Sequence, residues 1–225
     1  MTNPTLTVTR TWTCVLFDLD GTITDSAPGI TKSIAATLQA LGLPIPSPAE
    51  LVEYVGPPLL DSFRDFAHMS ESEARDALAI YRASYHEDGA FDSAVFPGVR
   101  GVLKRLKDAG IPLAVATSKP ELQARRILDH FGLTEYFDVI CGASEDESRS
   151  AKGDVVAEAL RRLTEQGVDL SQTVMVGDRS HDVEGATEHG LPTILVEWGY
   201  GSPAEAAGAI AVVHSTDQLS TLLLG

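Results

Sequence analysis

Residues 15–22 read Val-Leu-Phe-Asp-Leu-Asp-Gly-Thr, an apolar run that ends in two carboxylates and a glycine. The apolar stretch over residues 12–17 is continuous rather than alternating, which is typical of a strand buried on both faces of a parallel sheet. Asp18 and Asp20 follow at its carboxyl end, and side chains two residues apart in a strand point to the same side. We therefore expect both carboxylates to enter one cleft.

Two carboxylates in one cleft repel each other. At about 4 Å and an effective dielectric constant near 20, the repulsion is roughly 4 kcal/mol. A bound metal ion or a proton would offset it, so the pair predicts a functional site. The structural alternative is that Asp18 and Asp20 only form a turn before Gly21.

Strand-like and helical patterns alternate from residue 112 to the end of the chain. Strands are predicted over residues 112–116, 137–141, 173–176, 192–196 and 210–213, with helices over 120–131, 152–166 and 182–189 between them. This repetition indicates an α/β fold, a Rossmann-like, doubly wound parallel sheet.

The stretch between the first two strands is far longer than a parallel crossover needs, which is a dozen residues or more. It is rich in helical periodicity, with apolar residues at 30, 34 and 38, and it contains no obvious strand. We expect a helical cap domain over residues 26–95, inserted into a core domain of residues 1–25 and 96–225. The alternative is extra helices that pack onto the sheet.

The composition excludes some partners. The 225 residues carry a net charge of −15, which disfavours binding to nucleic acid or to an anionic membrane. The chain has no apolar run of about 20 residues and no apolar signal core at its start. Cys14 and Cys141 lie in apolar runs, which predicts buried thiols in a reducing compartment. We expect a cytoplasmic protein, either a monomer or a homodimer.

Polar side chains follow further predicted strands. Thr117, Ser118 and Lys119 come after the second strand, Asp178 and Asp182 after the fourth, and Lys152 begins the helix before that fourth strand. All these positions lie at one edge of a parallel sheet. A lysine at a helix N-terminus opposes the helix dipole, which favours a functional role over a structural one.

This set of residue types predicts phosphoryl chemistry. Carboxylate clusters without His or Cys select hard cations, most often Mg²⁺. Mg²⁺ with an ammonium and a hydroxyl group can hold phosphoryl oxygens. Two carboxylates in different environments can then act as a nucleophile and as a general acid/base.

The motifs resemble those of the haloacid dehalogenase superfamily of phosphohydrolases. Residues 17–22 are similar to its first motif, DxDGT, and residues 177–182 to its fourth, GDxxxD. Thr117 matches the Thr/Ser of the second motif, and Lys152 matches the lysine of the third. The four motifs occur in order between about residues 14 and 200, and the inserted segment corresponds to the helical cap of the family.

The resemblance implies specific roles for the carboxylates. Asp18 would be the nucleophile that forms an aspartyl-phosphate, and it would also bind Mg²⁺. Asp20 would be the general acid/base, and its backbone carbonyl would bind the metal. Asp178 would be the third metal ligand, and Asp182 would support the metal site. Phosphatases and phosphomutases of the superfamily have the second aspartate, whereas dehalogenases lack it.

The resemblance also implies which groups contact the substrate. Thr117, Ser118 and Lys152 would bind the substrate, with Thr117 and Lys152 holding the phosphoryl oxygens. Lys152 would also be catalytic and would pair with Asp18. Residues 117–120 and 198–201 are most similar to phosphoglycolate phosphatases and to 5′-nucleotidase-like proteins. We therefore expect hydrolysis of a small phosphorylated metabolite such as phosphoglycolate. A 5′-nucleotidase, a phosphomutase of the β-phosphoglucomutase type and a non-catalytic binding module are the alternatives.

Overall fold

The computed structural model describes residues 12–87 and 89–225. Its strands are β1 (Cys14–Phe17), β2 (Thr24–Asp25), β3 (Ala94–Val95), β4 (Leu113–Pro120), β5 (Val139–Ala143), β6 (Thr173–Gly177), β7 (Thr193–Val196) and β8 (Ala211–Val213). Its α-helices are α1 (Ala27–Ala40), α2 (Pro48–Val52), α3 (Leu59–Asp65), α4 (Glu71–Glu87), α5 (Val99–Asp108), α6 (Glu121–His130), α7 (Lys152–Glu165), α8 (Ser180–Thr187) and α9 (Thr216–Leu224).

Six strands form one parallel sheet in the order β5-β4-β1-β6-β7-β8. Strand β1 lies between β4 and β6, and the strand order reverses across it, as in a doubly wound sheet. The predicted α/β fold class is confirmed. The predicted strand positions are also correct to within a few residues, except that β4 extends to Pro120 rather than to residue 116.

Strand β1 is continuously apolar because each of its two faces packs against a separate apolar layer. Val15 and Phe17 join one cluster, and Cys14 and Leu16 join the other. All four side chains are almost completely buried. Cys14 and Cys141 are buried free thiols, as predicted. Burial raises the pKa of Cys14 to about 12 and that of Cys141 to about 11, so both stay protonated at neutral pH.

Residues 26–87 and 89–95, called here the helical segment, have an apolar cluster of their own. Tyr54 and Phe63 lie in this cluster, which is distinct from the two clusters at the sheet. Helix α4 begins with a capping box, in which Ser70 and Glu73 exchange hydrogen bonds.

The expectation of a segment without strands was wrong at its end. Strand β3, at the end of the helical segment, pairs antiparallel with β2, which directly precedes that segment. A strand of two residues is too short to leave a periodic pattern in the sequence. The predicted core and cap ranges also include residues 1–11 and 88, which lie outside the described residues. Within the described ranges, no helix combines the length and apolarity that a membrane span requires.

Candidate active site

The carboxyl ends of β1, β4 and β6 bring the predicted site residues together. Phe17 is in register with Val115 of β4 and with Val176 of β6. The backbone N–H of Asp18 donates to the carbonyl of Val176 at 2.9 Å. Thr117 and Asp178, each two residues beyond a register partner of Phe17, therefore flank Asp18 at the sheet edge. This arrangement follows from the parallel sheet.

Three carboxylates form a buried cluster at this edge. Asp18, Asp178 and Asp182 each offer an oxygen within 4.8 Å of the others. Burial raises the pKa of Asp18 to about 6, although the charge of Lys152 opposes that rise. Burial, together with the charges of Asp182 and Asp18, raises the pKa of Asp178 well above its usual range. The cluster is therefore rich in unfavourable negative charge, and its all-oxygen donors suit a hard cation such as Mg²⁺.

Lys152 is the buried cation beside this cluster. Its Nζ lies 2.7 Å from Oδ1 of Asp18 and 2.8 Å from Oδ1 of Asp182, and it donates to the carbonyl of Ala116 at 3.2 Å. Burial alone lowers the pKa of Lys152, but the two carboxylates outweigh burial and hold that pKa above its usual value. Lys152 thus stays charged and fixes the orientation of Asp18.

Both carboxylate oxygens of Asp182 contact other groups of the protein. Oδ2 accepts hydrogen bonds from the backbone N–H groups of Asp178 and Arg179, both at 3.0 Å. Oδ1 pairs with Lys152. Carboxylates at the start of a helix bind free N–H groups in this way. These bonds fix Asp182 next to Asp178. Its support of a metal site stays a prediction.

Asp178 is held by backbone that approaches it unusually closely. The N–H of Tyr200 donates to Oδ2 at 2.7 Å, and Oγ1 of Thr22 donates to Oδ1 at 3.2 Å. A Cβ atom on Gly21 would lie 2.2 Å from Oδ2, and one on Gly199 would lie 2.4 Å from it. Gly21 also has φ +87, which favours glycine. These two glycines leave the space that the Asp178 carboxylate fills.

Asp20 lies outside this carboxylate cluster and has a cation of its own. Nζ of Lys119 lies 2.8 Å from Oδ2 of Asp20, and both side chains are buried. Burial lowers the pKa of Lys119, but the charge of Asp20 and the hydrogen bond to it, together with Tyr85, outweigh burial and hold that pKa above its usual value. The second oxygen of Asp20, Oδ1, is buried without a hydrogen-bond partner among the described residues.

Lys119 is predicted to lie at this sheet edge from the sequence, but no role is predicted for it. A shift in register between Thr117 and Pro120 interrupts the pairing of β4 with β5, and Lys119 lies in this irregular stretch. Such β-bulges redirect side chains near active sites. A Cβ on Gly142 of β5 would lie 2.5 Å from the carbonyl oxygen of Lys119, so the bulge also needs a glycine opposite it. The sequence signal for Lys119 was its position directly after Thr117 and Ser118, the two predicted substrate contacts.

Thr117 and Ser118, the predicted substrate contacts after the second strand, lie in the last part of β4. Thr117 is almost fully buried, and its Oγ1 accepts a hydrogen bond from the N–H of Lys119 at 3.2 Å. Oγ of Ser118 is buried and has no partner within the described parts of the chain. Both hydroxyls can still donate a hydrogen bond. Their contact with a phosphoryl group stays a prediction.

Comparison with known proteins identifies the family. Residues 15–196 match the family model described as haloacid dehalogenase-like hydrolase. The chain belongs to this family. A predicted phosphatase from Clostridium acetobutylicum has a solved structure with a TM-score of 0.90 and 41% identity, covering 95% of this chain and 98% of that one. The match confirms the predicted fold and the resemblance on which the site prediction rests.

Three curated relatives differ in the activities that their names give. The chain is 38% identical to a 5′-nucleotidase of Pseudomonas aeruginosa, with 85% of each chain covered. It is 33% identical to a phosphoglycolate phosphatase of Cupriavidus necator over 96% of this chain and 95% of that protein. It is 49% identical to the tyrosine-protein kinase PtkA of Mycobacterium tuberculosis over 83% of this chain. The match spans only 62% of that mycobacterial protein.

Proposed function

We propose that the protein is a Mg²⁺-dependent phosphomonoester hydrolase that acts on a small phosphorylated metabolite through an aspartyl-phosphate at Asp18. The observation that carries this proposal is the separation of the two carboxylates after β1. Asp18 pairs with Lys152 inside the carboxylate cluster, whereas Asp20 pairs with Lys119 outside it. Two carboxylates in different environments suit a nucleophile and a general acid/base. Relatives named as phosphatases support the same activity.

The residues present suit a magnesium site. The carboxylates of Asp18 and Asp178 and the backbone carbonyl of Asp20 would hold the ion, and Asp182 would support them. When bound, Mg²⁺ supplies positive charge that stabilises the negative charge on the phosphoryl oxygens. A buried all-carboxylate cluster with raised pKa values has the donor chemistry that this ion needs.

The side chains supply the rest of the reaction. A carboxylate oxygen of Asp18 attacks phosphorus, and the bond between phosphorus and the ester oxygen breaks. Asp20, when protonated, gives its proton to the leaving oxygen. Asp20 then takes a proton from the water that attacks the aspartyl-phosphate, which releases phosphate and restores Asp18. Lys152 orients Asp18, and the Thr117 hydroxyl donates to a phosphoryl oxygen.

The proposal predicts phosphate release that depends on a divalent cation. In a panel of phosphate monoesters that includes phosphoglycolate, nucleoside monophosphates and sugar phosphates, we expect at least one to be hydrolysed with Mg²⁺. EDTA should abolish this hydrolysis, and added Mg²⁺ should restore it. Release of free phosphate is measured after removal of contaminating phosphate. Hydrolysis that persists in EDTA, or no hydrolysis of any ester, would contradict the proposal.

Metal binding should also be visible without any reaction. We expect Mg²⁺ at about 100 times its Kd to raise Tm by on the order of 5 °C, because it binds the folded cluster only. Asp178→Asn should remove most of this rise, since it deletes one charged ligand. Asp76→Asn is the matched control, because Asp76 is an exposed carboxylate on α4. A full Mg²⁺ effect on Tm in Asp178→Asn would place the ion elsewhere.

A second candidate function is transfer of the phosphoryl group to an acceptor other than water. The relative at 49% identity that is named a tyrosine-protein kinase favours this possibility. A phosphomutase would likewise transfer the phosphoryl group to an acceptor other than water. The two functions differ in where the phosphoryl group goes from Asp18. Phosphate released in equal amount to the ester consumed indicates hydrolysis, whereas a deficit of free phosphate indicates transfer.

A further inference from the structure

Arg179 lies at the point where the carboxylate cluster meets the helical segment. It follows Asp178 directly, and its Nη1 atom donates to the backbone carbonyl of Val55 at 2.6 Å. We propose that Arg179 is a positioning residue, whose bond to the helical segment holds the Asp178 carboxylate in the orientation that binds Mg²⁺. The inference rests on the metal site proposed above, and it gives a role to a position that the GDxxxD pattern leaves open.

The helical segment is shaped to receive the Arg179 side chain. Val55 is completely buried and lies beyond the end of α2, so its carbonyl needs a hydrogen-bond partner from outside that helix. Gly56 has φ +111, and a Cβ atom there would lie 3.2 Å from Cγ of Arg179. The side chain of Arg179 is only 12% exposed. The guanidinium group is therefore enclosed by the helical segment rather than extended into water.

Glu205 holds the guanidinium group from the other side. Nε of Arg179 donates to Oε2 of Glu205 at 2.8 Å, and the same oxygen accepts from the backbone N–H of Ser180 at 3.1 Å. Oε1 of Glu205 accepts from the N–H of Ser202 at 2.9 Å. One carboxylate thus joins Arg179, the start of α8 and residues 198–205, called here the 198–205 loop.

Two sets of hydrogen bonds connect this group to the Asp178 carboxylate. The backbone N–H groups of Asp178 and Arg179 both donate to Oδ2 of Asp182 at 3.0 Å, so the backbone at these two positions moves together. The 198–205 loop supplies the N–H of Tyr200, which donates to Oδ2 of Asp178 at 2.7 Å. A displacement of Arg179 would therefore turn the carboxylate of Asp178.

The 198–205 loop makes a second contact with the helical segment. The hydroxyl of Tyr200 accepts from the N–H of Ser26 at 2.7 Å and donates to Asp25 at 2.8 Å. The groups that orient Asp178 thus contact the helical segment at both Ser26 and Val55. Coupling between two sites is reciprocal. An ion that binds the oriented carboxylate must therefore stabilise these contacts in turn.

Positioning and charge predict opposite effects when Arg179 is replaced. The guanidinium group is positive and adjoins a metal ligand, so its charge alone disfavours a second cation nearby. Loss of the charge alone should therefore tighten Mg²⁺ binding. If Arg179 holds Asp178 in place, its loss lets the carboxylate turn, and Mg²⁺ binding weakens. Loss of a group that orients a metal ligand typically costs 10–100-fold in metal affinity.

The first test measures the Kd for Mg²⁺ from the dependence of Tm on Mg²⁺ concentration, without substrate. We expect Arg179→Met to raise this Kd by about tenfold. Arg100→Met is the matched control, because Arg100 is an exposed arginine that donates to the carbonyl of Gly132 at 3.0 Å. A Kd in Arg179→Met equal to or below that of the unchanged protein would overturn the inference, even if Tm in EDTA falls. If Mg²⁺ leaves Tm of the unchanged protein unaltered, the proposed metal site itself fails.

The second test uses hydrogen exchange and does not depend on the folding of Arg179→Met. In the unchanged protein, Mg²⁺ should slow exchange of the Ser26 and Val55 amides several-fold, because bound ion stabilises both contacts. The amide of Gly167, which donates to Thr164 in a distant turn, is the control. Tyr200→Phe should remove the protection of Ser26, since it deletes the hydroxyl acceptor. Equal exchange at Ser26 and Val55 with and without Mg²⁺ would contradict the inference.

Discussion

Replacing Asp18 with Asn is expected to reduce kcat for phosphate-ester hydrolysis by about 10⁴-fold or more. An amide oxygen is a poor nucleophile, so no aspartyl-phosphate can form at this position. The loss should be equally large for every ester, because the same step begins each reaction. Measurement of phosphate release under saturating substrate and Mg²⁺ checks this, with Asp76→Asn as the control.

The Asp18→Asn variant should keep its fold. Oδ1 of Asn can still accept the hydrogen bond that Lys152 Nζ donates to Asp18 at 2.7 Å. The substitution also removes one negative charge from a cluster in which Asp182 and Asp20 raise the pKa of Asp18. We therefore expect Tm in EDTA to be equal to or above that of the unchanged protein. Hydrolysis at the normal rate in this variant would show that another residue is the nucleophile.

Much of the fold and of this site could be predicted because both depend on local sequence. The run before Asp18 is apolar at every position, since Val15 and Leu16 face different buried layers. Parallel strands end at one edge, so the residues after β4 and β6 had to lie near Asp18. A functional role for Lys152 could be predicted because a lysine at a helix N-terminus opposes the helix dipole. The structure supplies its partners, Asp18 and Asp182.

The features that could not be predicted depend on contacts between distant residues. The pairing of Lys119 with Asp20 needs a bulge in β4, and a bulge is defined by the partner strand rather than by its own sequence. Tyr200 provides another example. Its hydroxyl accepts from the N–H of Ser26 at 2.7 Å and donates to Asp25 at 2.8 Å, so it ties the last loop of the site to the start of the helical segment.

The structure shows how the helical segment and the sheet edge form the candidate site together. Arg82 of α4 contacts the loop after β5, and Arg179 at the start of α8 donates to the carbonyl of Val55. These contacts join the helical segment to the loops at the sheet edge. We expect any separation of the helical segment from the sheet edge to break the Arg82 contact first, because it is exposed whereas the Arg179 contact is part-buried.

Replacing Asp20 with Asn is expected to slow hydrolysis in a way that depends on the leaving group. For a nucleoside or alkyl ester, kcat should fall by about 10²–10⁴-fold, because the leaving oxygen is strongly basic and needs a proton. For p-nitrophenyl phosphate the first step should be affected much less, since p-nitrophenolate is a weak base and leaves without one. A structural role for Asp20 would instead slow both esters equally.

Hydrolysis of the aspartyl-phosphate, the second step of the reaction, distinguishes the role of Asp20 from that of Asp18. Without Asp20, no general base activates the water that attacks the aspartyl-phosphate, so the intermediate should accumulate. Asp20→Asn should therefore release about one equivalent of p-nitrophenol per enzyme in a burst and then turn over slowly. Asp18→Asn should show no burst, because it cannot accept the phosphoryl group. An Asn at position 20 can still accept the hydrogen bond from Lys119, whose Nζ lies 2.8 Å from Oδ2 of Asp20. The variant therefore keeps any positioning of Lys119 and loses only the acid/base function. A missing burst would mean that the intermediate does not accumulate and that Asp20 only positions Lys119.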